Sequence, residues 1–177
     1  MRALGPGSVS SFLKIALDVI YVALWVWIGL LSVVSLVVLL MSFNPELLAN
    51  RLHINGNVDE LTGNGPLLAA ALAGWALMSG GWMAIVERLR KIFGTLSAGD
   101  PFHPDNVRRL RLVGMILVGL EIGRYVFASV AHAIAKDVKV IDGSFTLNTW
   151  FSVLVVFVLA EVFREGARLR REAELTI

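Results

Sequence analysis

"VIYVALWVWIGLLSVVSLVVLLMSF", residues 19–43, is a run of twenty-five residues without a single charge. A helix rises 1.5 Å per residue and needs ~20 apolar residues to cross ~30 Å of hydrocarbon. This run is therefore long enough to span a bilayer unaided. It is too long for the apolar core of a secretory leader, and no small-residue cleavage site follows it, so it reads as a retained segment. Working outward, the first helix is predicted over about 15–43. Three further apolar stretches follow: "PLLAAALAGWALMSGGWMAIV" from Pro66 to Val86, about Leu112 to Ile134, and about Phe145 to Phe163. The expected fold is an all-α membrane protein, a four-transmembrane-helix bundle in one membrane domain, residues 1–177. Its helices are placed at about 15–43, 66–86 continuing to 96, 104–134 and 145–175.

Composition agrees. The chain is 56% hydrophobic and 17% charged, where soluble domains average roughly 45–50% and about 25%. A net charge of +2 is too small for the whole chain to bind nucleic acid directly. The absence of cysteine excludes disulfides, thiol catalysis and thiolate metal sites. Twelve lysines and arginines fall in the N-terminal tail, the segment between helices two and three, and the C-terminal tail. Only Arg51, Lys136 and Lys139 fall in the other two loops. Basic residues stay in the cytoplasm, so both termini and the central segment are expected there.

The two outer loops carry turn signals. "NPELLANRL" reads as Asn44 capping a short helix with Pro45 at its first position. "LHINGNV" and "VKVIDGSFT" hold Asn55-Gly56 and Asp142-Gly143, dipeptides suited to tight hairpin turns. A small outer β-hairpin sheet is expected from them, either as a structural lid or as a ligand-sensing cap.

The central segment, "SAGDPFHPDNVRRLRLVG" (97–114), breaks the apolar pattern. Before it, Leu89, Ile92, Phe93 and Leu96 form an apolar face at helical spacing, predicting that helix two continues past the membrane as a short amphipathic cytoplasmic extension. Gly99-Asp100-Pro101 stops that helix. Pro104 suits the first turn of the next one, and Asp105 favours the positive end of its dipole. The prolines make a stiff corner. Arg108, Arg109 and Arg111 beside it read as anchors for anionic lipid or as a protein-docking surface. In the tail, "REGARLRREAELTI", Arg168–Glu172 and Arg170–Glu174 are spaced to pair along one helix face.

Charges also fall within the spans. Glu121 and Arg124 lie near the middle of helix three, where each costs about 2.5–3.5 kcal/mol to insert unless it faces the bundle and is paired. Three residues apart, they can pair with each other. Gly114, Glu121, Tyr125, Ala128 and His132 fall on one stripe, and Gly119 and Gly123 form a small-residue pair on the opposite face, suited to close helix contact. Asp18 and Glu161 lie near the cytoplasmic ends of helices one and four, with Arg88, Arg111 and Arg164 at comparable depth. These charges read either as structural ion pairs or as a proton or ion pathway through Glu121 and Glu161. Trp82 and Trp150 suit interfacial belts, whereas Trp25 and Trp27 are expected to pack. His53, His103 and His132 lack metal-ligand spacing, so no metal site is expected. No catalytic triad, phosphate loop or dinucleotide fingerprint is present, so neither an enzyme nor a cofactor is expected.

The run "GDPFHPDNVRRLRLVG" together with the ending "REGARLRREAELTI" resembles a bacterial integral-membrane family catalogued as domain of unknown function 2975. The matching positions are Pro101, Phe102, Pro104, Asn106, Arg109, Leu110 and Arg111, then Glu174, Leu175 and Thr176. The tail departs from the family pattern at Arg171 and Ala173. The resemblance implies four helices in a bacterial inner membrane and an association with a small helix-turn-helix regulator. The expected function is a non-enzymatic sensor or regulator whose corner (Asp100, Pro101, Phe102, Pro104, Asn106, Arg108, Arg109, Arg111) engages a cytoplasmic DNA-binding regulator. The alternative is a small transporter or channel subunit, working as a homo-oligomer and using Glu121, Arg124 and Glu161.

Overall fold

The computed structural model describes residues 9–43, 58–134 and 147–175. They form four helices: α1 (Val9–Phe43), α2 (Val58–Ser97), α3 (Pro104–Ile134) and α4 (Leu147–Glu174). All four are long and apolar enough to cross a membrane. α1 is rich in β-branched residues that would favour strands in water. Inside a bilayer, however, each backbone N–H and C=O must be satisfied within its own segment, and a helix does this. The apolar side chains point outward: Leu77 is 79% exposed and Phe151 65%. Such a surface is stable only against lipid. The protein is a multi-pass helical membrane protein.

Neighbours in the chain pack as antiparallel neighbours in space: α1 on α2, α2 on α3, and α3 on α4. Arg90 of α2 meets Asp18 of α1, and Ser35 Oγ donates to the Ala69 carbonyl at 2.8 Å. At the turn between α2 and α3, the corner, Ile92, Leu110 and Ala160 form a buried apolar cluster joined by Leu89, Leu96 and Phe163. Three helices are thus gathered where the chain leaves the apolar spans.

Several expectations are corrected. α2 begins at Val58, eight residues before Pro66, and carries that proline inside it. Tertiary packing overrides the proline's preference for a first turn: Gly65 sits so close to Ser42 of α1 that an added Cβ would lie 2.7 Å from its side chain. The amphipathic stretch does continue the second helix, as expected, and α2 runs unbroken to Ser97. The Asn44, Asn55-Gly56 and Asp142-Gly143 turn signals lie outside the described residues. The outer sheet gains no support, since Val58, the apolar residue just beyond Asn55-Gly56, opens a helix, and no strand occurs among the described residues. Trp25 and Trp27 are 58% and 46% exposed. They face lipid and do not pack inside.

The expected close contact at Gly119 and Gly123 is also absent from the described bundle. Gly119 has nothing near it, and Gly123 has only the Met78 side chain at van der Waals distance. The tight approach between α2 and α3 is made by Gly74 and Gly81 of α2. These two glycines, seven residues apart, receive Phe127 and Leu120 of α3, also seven apart. A Cβ at Gly74 would overlap the Phe127 ring, whereas one at Gly80 would meet open space. Gly74→Ala is therefore expected to destabilise by about 1–3 kcal/mol through overpacking. Gly80→Ala should stabilise by about 0.5–1 kcal/mol through helix propensity alone. Thermal unfolding of the two variants in detergent micelles checks the opposite signs.

Candidate functional site

The corner is built by a helix stop and a helix start. Gly99 adopts φ 85°, with Gly99 N–H donating to the Leu96 carbonyl (3.1 Å) and Asp100 N–H to the Thr95 carbonyl (3.0 Å). This pairing satisfies the last carbonyls of α2 and needs the left-handed conformation glycine allows. Three residues on, His103 caps α3: its Nδ1 accepts from the Asp105 N–H at 3.2 Å and its carbonyl from the Asn106 N–H at 2.9 Å.

Asn106 closes the turn. It is fully buried, and its Nδ2 donates to Thr95 Oγ1 at 2.7 Å and to the Pro101 carbonyl at 3.1 Å. Its Oδ1 accepts from Arg109 Nη1 at 3.0 Å, and the same Nη1 reaches the Lys91 carbonyl at 3.2 Å. One side chain thereby ties the end of α2, the turn and the start of α3. Phe102 reaches the other way. Its ring lies over Gly166 of α4, where a Cβ would overlap it, and stands 5.9 Å from the Phe163 ring. Asp100 pairs with Arg170 of α4, which also holds Glu174 at 2.9 Å. The tail of α4 is therefore fastened to the corner by an aromatic wedge and an ion pair.

The eight corner residues thus divide. Asn106, Phe102, Arg109 and Asp100 hold the fold, and Pro101 contributes a carbonyl. Pro104 begins α3. Arg111 comes within 4.0 Å of Glu161, which Arg164 also engages. Arg108 is exposed and has no ion pair among the described residues. Asp18 is met by Arg90, which also stacks 4.4 Å above the Tyr21 ring, while Arg88 turns to Glu87 at 2.9 Å. Depth alone did not distinguish Arg88 from Arg90. Two residues differ by ~200° around a helix, and only the rotation of α2 against α1 selects between them.

A second cluster lies within the spans. Glu121 is 5% exposed. Its Oε1 accepts from Arg124 Nη2 at 2.8 Å and from the Tyr125 hydroxyl at 2.6 Å, and its Oε2 from Arg124 Nε at 3.3 Å. The carboxylate and guanidinium thus neutralise each other on one helix face. The pair lines a cavity of about 290 Å³ between α2, α3 and α4, which Asn148, Thr149 and Ser152 of α4 also face. The three α4 residues escaped the sequence reading because an Asn-Thr pair at a helix start looks like ordinary capping. Glu161 is not part of this cluster. It sits near the corner, ten residues of α3 away if measured from its partner Arg111, or about 15 Å. His132 is exposed, and His53 lies outside the described residues. Among the described residues no three His, Asp or Glu side chains converge as metal ligands.

No curated protein and no solved structure matches the chain. A family model does, over residues 17–177, described as protein of unknown function DUF2975. The corner and tail positions described above all fall within that match, and the chain belongs to this family.

Proposed function

We propose that the protein is a non-enzymatic regulator of the bacterial inner membrane, with both termini and the corner in the cytoplasm, where the corner docks a soluble partner. The orientation rests on the twelve basic residues on the corner side against three on the other. The observation that carries the docking role is the division of labour at the corner. Asn106, Phe102 and Asp100 lock α2, α3 and the α4 tail together, while Arg108 and Arg171 stay exposed and have no ion pair among the described residues. A rigid support with exposed guanidinium groups loses little entropy on binding and suits an acidic protein face. A DNA-binding regulator of the helix-turn-helix type is the partner proposed.

The test compares the native chain with Arg108→Glu/Arg171→Glu, both confirmed as folded and inserted, in co-purification from gently solubilised membranes. Recovery of a soluble regulator should fall at least about tenfold in the variant, as expected when like charges are juxtaposed at an interface. Equal recovery would sink the docking role. A fluorescent protein fused after residue 177 should mature and glow, which it does only in the cytoplasm.

The cavity beside Glu121 favours a second reading, a small transporter or channel subunit assembled as an oligomer. A proton relay from Glu121 to Glu161 would have to cross that ~15 Å between two groups already engaged by arginine. Loss of pH-coupled flux on Glu121→Gln in reconstituted vesicles would establish this reading over the first.

A further inference from the structure

We infer that two copies of this chain pair in the membrane through the groove between α1 and α2, with their Ser32 hydroxyls hydrogen-bonded to each other across a two-fold axis. This surface lies within the spans, is separate from the docking corner and does not depend on its role.

α1 is the edge helix of the fold. It packs substantially on α2 alone, and Leu31 is its one buried side chain among the described residues. Beside that contact runs a groove of about 610 Å³, from Ile28 to Leu39 along α1 and from Ala73 to Gly80 along α2. Eleven residues of α1 rise about 16 Å, roughly half of the ~30 Å of hydrocarbon. The α2 wall is low: Ala73, Ala76 and Gly80 carry at most a methyl group, and Leu77 is its one large side chain. Low walls let a neighbouring helix approach closely. That is how helices associate in lipid, where apolar area alone supplies no driving force.

Ser32 decides what fills the groove. It sits at the centre of the charge-free run 19–43, hence near the mid-plane, and it lines the groove. Ser35, Ser79, Ser129 and Ser152 each donate to a backbone carbonyl at 2.8–2.9 Å. The Ser32 hydroxyl makes no such bond among the described residues. Ser42 also makes none, but it lies at the end of α1, near the boundary with water. An acyl chain in the groove offers Ser32 neither donor nor acceptor, and an unpaired hydroxyl in hydrocarbon is costly. A second copy offers both. It inserts in the same direction, so its α1 runs parallel and brings Ser32 of the second copy to the same depth. A two-fold contact needs a patch that complements itself, and a hydroxyl, donor and acceptor at once, does so.

Gly29 supplies an independent sign. Three residues from Ser32, it lies on the same side of α1, and nothing in the chain comes within 4 Å of a Cβ placed there. Gly65, Gly74, Gly81 and Gly114 each receive a neighbouring side chain. A glycine inside a helix costs stability, and no contact within the chain requires this one. A close crossing of two α1 helices at Gly29 and Ser32 uses it.

The chain has no cysteine, so single cysteines report the contact directly. In native membranes treated with copper phenanthroline, Ser32→Cys should crosslink into dimers roughly tenfold faster than Val26→Cys, which lies about 120° away around α1. Single-molecule photobleaching of the labelled full chain in vesicles, over a series of lipid-to-protein ratios, yields the dimer constant. Gly29→Leu has room within the chain and should fold and insert normally, verified by circular dichroism. It should nevertheless weaken the dimer roughly tenfold or more, because it overfills the crossing. Ser32→Ala should weaken it about threefold, the average worth of a hydrogen bond between spanning helices. Crosslinking of Ser32→Cys no faster than of Val26→Cys would overturn the inference. So would a native chain that is monomeric at every ratio, with lipid in the groove, or an unchanged dimer constant in folded Gly29→Leu or in Ser32→Ala.

Discussion

Asn106→Leu is expected to lower stability by about 3 kcal/mol, which for a chain of this size is a fall of about 6–12 °C in Tm. The side chains are similar in volume, so the cost is not a cavity. Leucine offers nothing to the Pro101 carbonyl, which Asn106 now satisfies, and takes from Arg109 Nη1 one of its two acceptors, the Lys91 carbonyl remaining. A buried group left without its partner costs about 1–3 kcal/mol. Thr95 suffers less, because its hydroxyl also donates to the Ile92 carbonyl at 2.7 Å. Arg109→Ala should cost less than Asn106→Leu, since Arg109 is itself partly exposed and its Asp105 contact is long, at 3.6 Å. Arg108→Ala, two residues from Asn106 but pointing to solvent, should stay within about 0.5 kcal/mol. Thermal unfolding in detergent micelles orders the three. If Asn106→Leu and Arg108→Ala unfold together, the corner is not held by its asparagine.

The spans could be read from the sequence because the rule behind them is almost purely a matter of length. Twenty apolar residues in a row have few other fates, and α1 is helical despite its valines for that reason. The Glu121–Arg124 pair was equally legible, since both members sit on one helix at a fixed offset of three. The end of α2 was legible at Gly99 because only glycine takes that conformation cheaply. What stayed hidden depends on how helices face each other. Nothing in "GDPFHPDN" says that Asn106 will reach back eleven residues to Thr95, or that Phe102 will find Gly166. Those contacts follow from a turn geometry and a helix pairing that the residues settle only jointly. The role of Gly74 and Gly81 as seats for Phe127 and Leu120 emerges only with α3 in place. Trp25 and Trp27 show a limit particular to membranes: lipid and protein interior are both apolar, so hydropathy does not separate them. The corner residues show the same limit of a reading by residue type. A motif of prolines, aromatic and arginines looked like a surface, and half of it is the fastening of the corner.

Arg124→Leu alone is expected to be among the most destabilising single changes in the spans, at about 3–5 kcal/mol, because it takes the guanidinium counter-ion from a buried Glu121 carboxylate. Glu121 is 5% exposed, while the Arg124 side chain is 22% exposed. The reverse substitution, Glu121→Leu, should therefore be milder. Its guanidinium has a long stem and can shift its head toward the far boundary. The Tyr125 hydroxyl would lose its acceptor in that variant, adding about 1 kcal/mol. The double variant Glu121→Leu/Arg124→Leu should recover most of the loss, since replacing a buried pair by apolar residues is often close to neutral. A double-mutant cycle in micelles, read by thermal unfolding, then yields a coupling of about 2 kcal/mol or more for side chains in direct contact. Additive losses would mean that the two charges do not depend on each other and that water or lipid head groups already reach Glu121. If the double variant folds and inserts as well as the native chain, stability does not explain the pair.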